Sequence, residues 1–154
     1  MTCRWAAGPL VGWVLLNPSS HDREIQPTRH RCVGFARAWG YAGIVQRNLF
    51  AFRATDPREL LTAEDPFGPE NADYLARVGT EALTVAAWGS SPAVRLAPII
   101  PSGDLYCIGI NRDGSPRHPL HAPATSTLRR WPTGRPLDGC SVTLGTSGTA
   151  APMP

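Results

Sequence analysis

Apolar positions gather into four short segments spaced along the first two-thirds of the chain. Leu10-Val-Gly-Trp-Val-Leu-Leu16 has no polar side chain on either face of an extended backbone and stops at Asn17-Pro18. It predicts a strand buried on both sides, as at the centre of a parallel sheet. Gly43 to Phe50, Leu83 to Trp88 and Leu105 to Ile110 predict three more strands. Between the first two, Cys32, Phe35, Ala36 and Trp39 recur at helical spacing within Thr28 to Trp39, and Gly40 is placed to end that helix. Asp56-Pro57-Arg58-Glu59 combines an acidic cap, proline at the first helical position and glutamate three residues after the cap, which starts another helix. Asp65-Pro66-Phe67-Gly68-Pro69 breaks it, and a third helix is expected from Pro69 to about Glu81. Ser90 to Ile100 predicts a short helix interrupted by Pro98, and Asn111-Arg-Asp-Gly114 predicts a turn.

Strands alternating with helical segments imply an α/β fold: a small, mostly parallel, four-stranded sheet with helices on both faces, forming one domain over residues 1–131. Residues 132–154 differ, because fourteen of these 23 are Gly, Pro, Ser or Thr and none is aromatic. They are expected to form a disordered tail. In parallel sheets ligands bind beyond the carboxyl ends of the strands. Here those ends are Asn17 to Ser20, Asn48 to Arg53, Trp88 to Ser90, and Asn111 onward to His118.

Composition narrows the chemistry. The 154 residues carry a formal charge of +3, and all fifteen basic residues are arginine. A chain without lysine has no Schiff-base lysine and no phosphate-loop GK pair. Glycine and proline, 15 and 16 residues, make loops abundant. Cys3, Cys32, Cys107 and Cys140 lie 29, 75 and 33 residues apart, so no C-x-x-C pair exists to hold zinc or cycle a disulfide. Such sparse thiols suit a reducing cytoplasm. No apolar run reaches the roughly 18 residues a membrane span needs, and the first residues lack a secretion signal's cleavage pattern. No H-E-x-x-H, G-x-S-x-G or early G-x-G motif occurs; neither a metal nor another cofactor is expected.

Three segments carry candidate chemistry. In the first, Asn17-Pro18-Ser19-Ser20-His21-Asp22 leads into the Thr28-Arg29-His30-Arg31 helix start. Amides at a helix N-terminus, reinforced by Arg29 and Arg31, would attract an anion, with Ser19, Ser20 and Thr28 as further ligand contacts. Asn17 could orient a water or read a base edge, and Asp22 could act as general base. The plain alternative is an ordinary turn with Thr28 as helix cap. In the second, Asn48, Phe50, Phe52 and Arg53 end a strand; the phenylalanines could stack on a base and Arg53 could hold a phosphate. Alternatively the aromatics belong to the core and Arg53 pairs with Asp56 or Glu59. In the third, His118 in Arg117-His-Pro-Leu-His121 could stabilise developing negative charge.

Taken in order, LNPSSHD, PTRHRC, FARAWGY, NLFAFRATDP, GPENADYL, VAAWG and RDGSPRHPL resemble a bacterial domain-of-unknown-function family (number 1643), over about Arg4 to Trp131. The chain departs from that pattern at a shortened stretch before the first buried strand, at Gln26 where members carry an acid, and in a short segment between Gly89 and Asp104. More remotely, a strand ending in an N-P loop with a late H-P loop is similar to the uracil-DNA glycosylase superfamily. That resemblance implies a nucleobase- or nucleic-acid-recognising protein, with N-glycosidic hydrolysis as its reaction. Asn17 would orient water, His118 would bind the leaving base, and Phe50 or Phe52 would stack on it. The alternatives are a non-catalytic nucleotide- or anion-binding module and an inactive, diverged remnant.

Overall fold

β2 (Leu10–Leu15) is buried at every residue after Leu10, and it forms the middle of the molecule in a computed structural model that describes residues 1–19, 26–98, 100–101 and 103–132. It pairs in parallel with β3 (Gly43–Asn48) on one side and β4 (Leu83–Ala86) on the other. β5 (Leu105–Cys107) extends the parallel set beyond β4. β1 (Thr2–Arg4) and β6 (Arg129–Arg130) close the two edges antiparallel, giving the order β1-β3-β2-β4-β5-β6.

The sheet therefore has six strands and is mixed, whereas the hydrophobic pattern predicted four. Both extra strands lie at edges and are only three and two residues long. They are held by backbone pairing and by few buried side chains, so they leave no alternation to read. The stretch before the first buried strand forms β1. The expected tail, apart from Pro132, lies outside the described residues.

Successive β2 side chains divide the core, because neighbours on a strand point to opposite faces. Val11, Trp13 and Leu15 meet Cys32, Phe35 and Ala36 of α1 (Pro27–Ala38). There Trp39 stacks on Trp13 and on Phe35, with ring centres 5.8 and 5.5 Å apart, contacts worth about 0.5–1.5 kcal/mol each beyond their buried area. Val14 and Leu16 face the other way, onto Leu49, Phe50, Leu60, Leu75 and Trp88. Cover on this face is thinner than expected. α2 runs only from Asn71 to Ala76, while Pro57–Leu61 and Pro92–Leu96 form 3-10 turns. The predicted capping box at Asp56 is present, but it starts one short turn. α2 stops well before Glu81; Gly79 follows at a φ of +91°, a left-handed conformation outside the helix.

Gln26 is the N-cap of α1 and makes no side-chain capping bond. Thr28 is not the cap; it lies inside the first helical turn.

Candidate functional site

Two backbone bonds prolong the β2–β3 pairing past the strands, from Leu49 N–H to Leu15 O and from Phe50 N–H to Leu16 O, both 2.9 Å. Beyond them the two loops are stitched together. Asn17 Nδ2 donates to Ala54 O at 2.8 Å and to Pro18 O at 3.1 Å, while Ala54 N–H returns a bond to Pro18 O at 3.1 Å. The amide nitrogen of Asn17 is thereby committed to structure, leaving Oδ1 as the atom it can offer to a ligand.

On the opposite side of β2 the chain doubles back after β5. Arg117 N–H bonds Gly109 O at 2.8 Å, Asn111 N–H bonds Ser115 O at 2.8 Å, and Ile110 bridges Pro116. The Asn111–Gly114 turn, predicted from its composition, closes this small hairpin. Asp113 steadies it by accepting from the Ser115 N–H at 3.0 Å and hydroxyl at 2.6 Å, and it also accepts from the Ser90 hydroxyl. These bonds, Ser115 first, hold the Asp113 carboxyl below its usual range. The hairpin sets His118 against Gly89 at the end of β4. Gly89 has a φ of +76°, and a Cβ there would lie 3.2 Å from His118 Cβ, so glycine is required both by conformation and by the close approach.

The result is a cleft of about 550 Å³ across the carboxyl ends of the parallel strands. Asn17, Ser19, Thr28, Thr55, Ser90, Asn111, His118 and His121 supply its polar lining, and Leu16, Trp88 and Leu120 are among its apolar walls. A second recess of about 280 Å³ adjoins it and shares Gly89 and Ser90. His118 Nδ1 accepts the Leu120 N–H at 3.3 Å, capping the Pro119–His121 turn. Burial, and secondarily the nearby His121, push the His118 pKa down to about 4. The ring is therefore neutral near pH 7, with its proton on Nε2 as a hydrogen-bond donor.

Of the sequence candidates, Asn17, Ser19, Thr28 and His118 share this cleft. Ser20 and Asp22 lie outside the described residues. Phe50 cannot stack on a ligand: it is fully buried and packs on Phe67 at 5.3 Å. Arg31 does not reinforce an anion site, because it donates to Pro119 O at 3.2 Å and to Ala122 O, and lies over the Phe35 ring. It braces the loop that carries His118. Asn48 offers its backbone carbonyl to Asn71 at 3.2 Å and does not line the cleft. Arg29 also lies outside the lining. Arg53 does not pair with Asp56 or Glu59. Arg58 takes the Asp56 carboxylate in three bonds of 3.1, 2.9 and 2.6 Å, and the Glu59 carboxylate accepts the Asp56 N–H. Arg53 is left exposed beside the cleft.

Ser90, Asn111 and Thr55 were not singled out from the sequence, although the first two stand directly at predicted strand ends. Their signal was position, since turn-forming residues at the carboxyl edge of a parallel sheet are ligand candidates whatever motif surrounds them. Among the described residues no group of three or more metal-binding side chains occurs, and no helix is long and apolar enough to cross a membrane.

No curated protein and no solved structure matches the chain. A family model does match residues 1–120, which hold β1 to β5 and all of the cleft lining except His121. The chain thus belongs to the family described as "Protein of unknown function (DUF1643)".

Proposed function

We propose that the cleft binds a nucleobase-containing ligand and that its reaction is hydrolysis of an N-glycosidic bond. The observation that carries this reading is the pairing in one cleft of a neutral histidine, presenting Nε2–H, with an asparagine whose Oδ1 is its remaining polar atom. A neutral donor suits a base carbonyl on which negative charge grows as the glycosidic bond breaks. Asn17 Oδ1 would accept a hydrogen bond from water and direct its oxygen to the sugar carbon. The C1′–N bond breaks with its electrons on the base, the water oxygen bonds to C1′, and the proton that the water loses balances the one the departing base takes up. The chemistry asks for no lysine.

A second reading, binding without turnover, is favoured by one feature. The cleft lining among the described residues contains donors, acceptors and two histidines but no carboxylate to take up the water's proton.

One experiment separates the two. Thermal-shift measurements over free bases, nucleosides and nucleotides detect binding, since a ligand that favours the folded form raises Tm. Base release is followed on the same compounds and on oligonucleotides with damaged bases. A shift that Asn17→Ala and His118→Ala abolish, together with base release, supports hydrolysis. A shift without release supports the binding module, and no shift for any base-containing compound rejects both.

A further inference from the structure

Two exposed arginines adjoin the cleft lining in sequence, one on each side of β2. Arg53 directly precedes Ala54 and Thr55, lining residues on the β3 side, and Arg112 directly follows Asn111, a lining residue on the β5 side. β3 and β5 are three strand spacings apart in the sheet, about 14 Å at ~4.8 Å per spacing. Neither guanidinium has an ion pair or hydrogen bond with another described residue. The acids closest to them in sequence are engaged: Asp56 by Arg58, and Asp113 by Ser90 and Ser115. Next to Arg53, Phe52 is 37% exposed, unlike the buried Phe50, and lies outside the cleft lining.

A free nucleotide carries phosphate on one side of its base, whereas every internal nucleotide of a strand has phosphates on both sides. Cations on both sides of a cleft with room for a base, and an aromatic ring beside one of them, match the second arrangement. We infer that the ligand is a single polynucleotide strand crossing the rim, with one base in the cleft, flanking phosphates on Arg53 and Arg112, and a neighbouring base stacked on Phe52. The inference rests on the nucleobase reading of the cleft and adds the polymer to it.

Fluorescence anisotropy with a labelled DNA strand of about 10 nucleotides, within the ~4–16 that such grooves cover, tests this against the matching mononucleotide. The strand is expected to bind at least tenfold tighter, with an affinity that falls as salt rises. Arg53→Gln and Arg112→Gln should each flatten the log–log salt slope by about 0.7, and Phe52→Ala should weaken strand binding about fivefold or more. Arg77→Gln, on an exposed arginine next to α2, is the charge control and should leave the slope unchanged. The same strand as RNA tells which polymer is preferred. Equal affinity for strand and mononucleotide, or a slope unmoved by both arginine changes, overturns the inference. If nucleosides still raise Tm in that case, the nucleobase cleft survives without the strand. If strand binding depends on the arginines but not on Asn17 or His118, the strand path stands and the nucleobase cleft falls.

Discussion

His118 serves the fold and the candidate chemistry through different atoms of one ring. Nδ1 caps the turn that follows it, and that bond leaves the proton on Nε2 at the cleft. Its burial has a thermodynamic consequence. The unfolded chain takes up a proton near the ordinary pKa of 6.5, the folded chain only near 4, so between these values the unfolded state binds more protons and stability rises with pH. The contribution is complete above about pH 6.5 and is lost as pH falls towards 4, amounting to about 2–3 kcal/mol after allowance for partial exposure. Urea unfolding of wild type and His118→Asn at several pH values checks this: the variant should lose most of the slope in that window. A slope equal to wild type would mean that other groups carry it. The tautomer was not readable from the chain. A histidine before proline signals a rigid loop, but which nitrogen is engaged depends on Leu120 folding back onto it.

At the scale of elements, the buried strands and α1 followed from periodicity because each of them buries a continuous apolar stripe. The edges did not. β1 lies against β3 so closely that a Cβ on Gly43 would stand 2.6 Å from Cys3 O and 3.0 Å from Arg4 Cα. Those obstacles are backbone, which cannot swing aside as a side chain would. Gly43→Ala should therefore displace β1 and cost about 1–3 kcal/mol, seen as a lower urea midpoint and faster hydrogen exchange at the amides of Thr2–Arg4 and Gly43–Gln46. Unchanged exchange there would mean that β1 adjusts without leaving β3. Helix length on the α2 face was overestimated for a related reason: Asp56-Pro57 and Ser91-Pro92 are genuine starts, but short turns suffice to cover this side of the sheet.

At the scale of the whole molecule, a buried ion pair ties the sheet together beneath α2. Arg47 and Glu81 meet at 2.8 Å with side chains only 10% and 6% exposed, spanning β3 and the entry to β4 across β2. Gly12 on β2 makes room for the pair; a Cβ there would come within 2.8 Å of Glu81 Oε2. Removing one partner strands a buried charge, so Glu81→Ala should destabilise by about 3–5 kcal/mol, whereas the apolar double replacement Arg47→Met with Glu81→Leu should recover most of it. Urea denaturation of both variants decides this, and equal losses in the two would show that packing, not the unpaired charge, sets the cost.

The linear pattern of residues was enough for the parallel core, the helix packed on it, the Asn111 turn and the strand ends that border the cleft, because those depend on local periodicity and on which residues tolerate turns. It also picked Asn17 and His118, each at such an end. Folding assigned the arginines and phenylalanines their separate tasks: Arg31 became a brace and Phe50 core, while Arg53 and Phe52 stayed exposed. Those outcomes turn on partners many residues away, such as Pro119 for Arg31 and Phe67 for Phe50. No local pattern encodes a neighbour that arrives only when the sheet has closed.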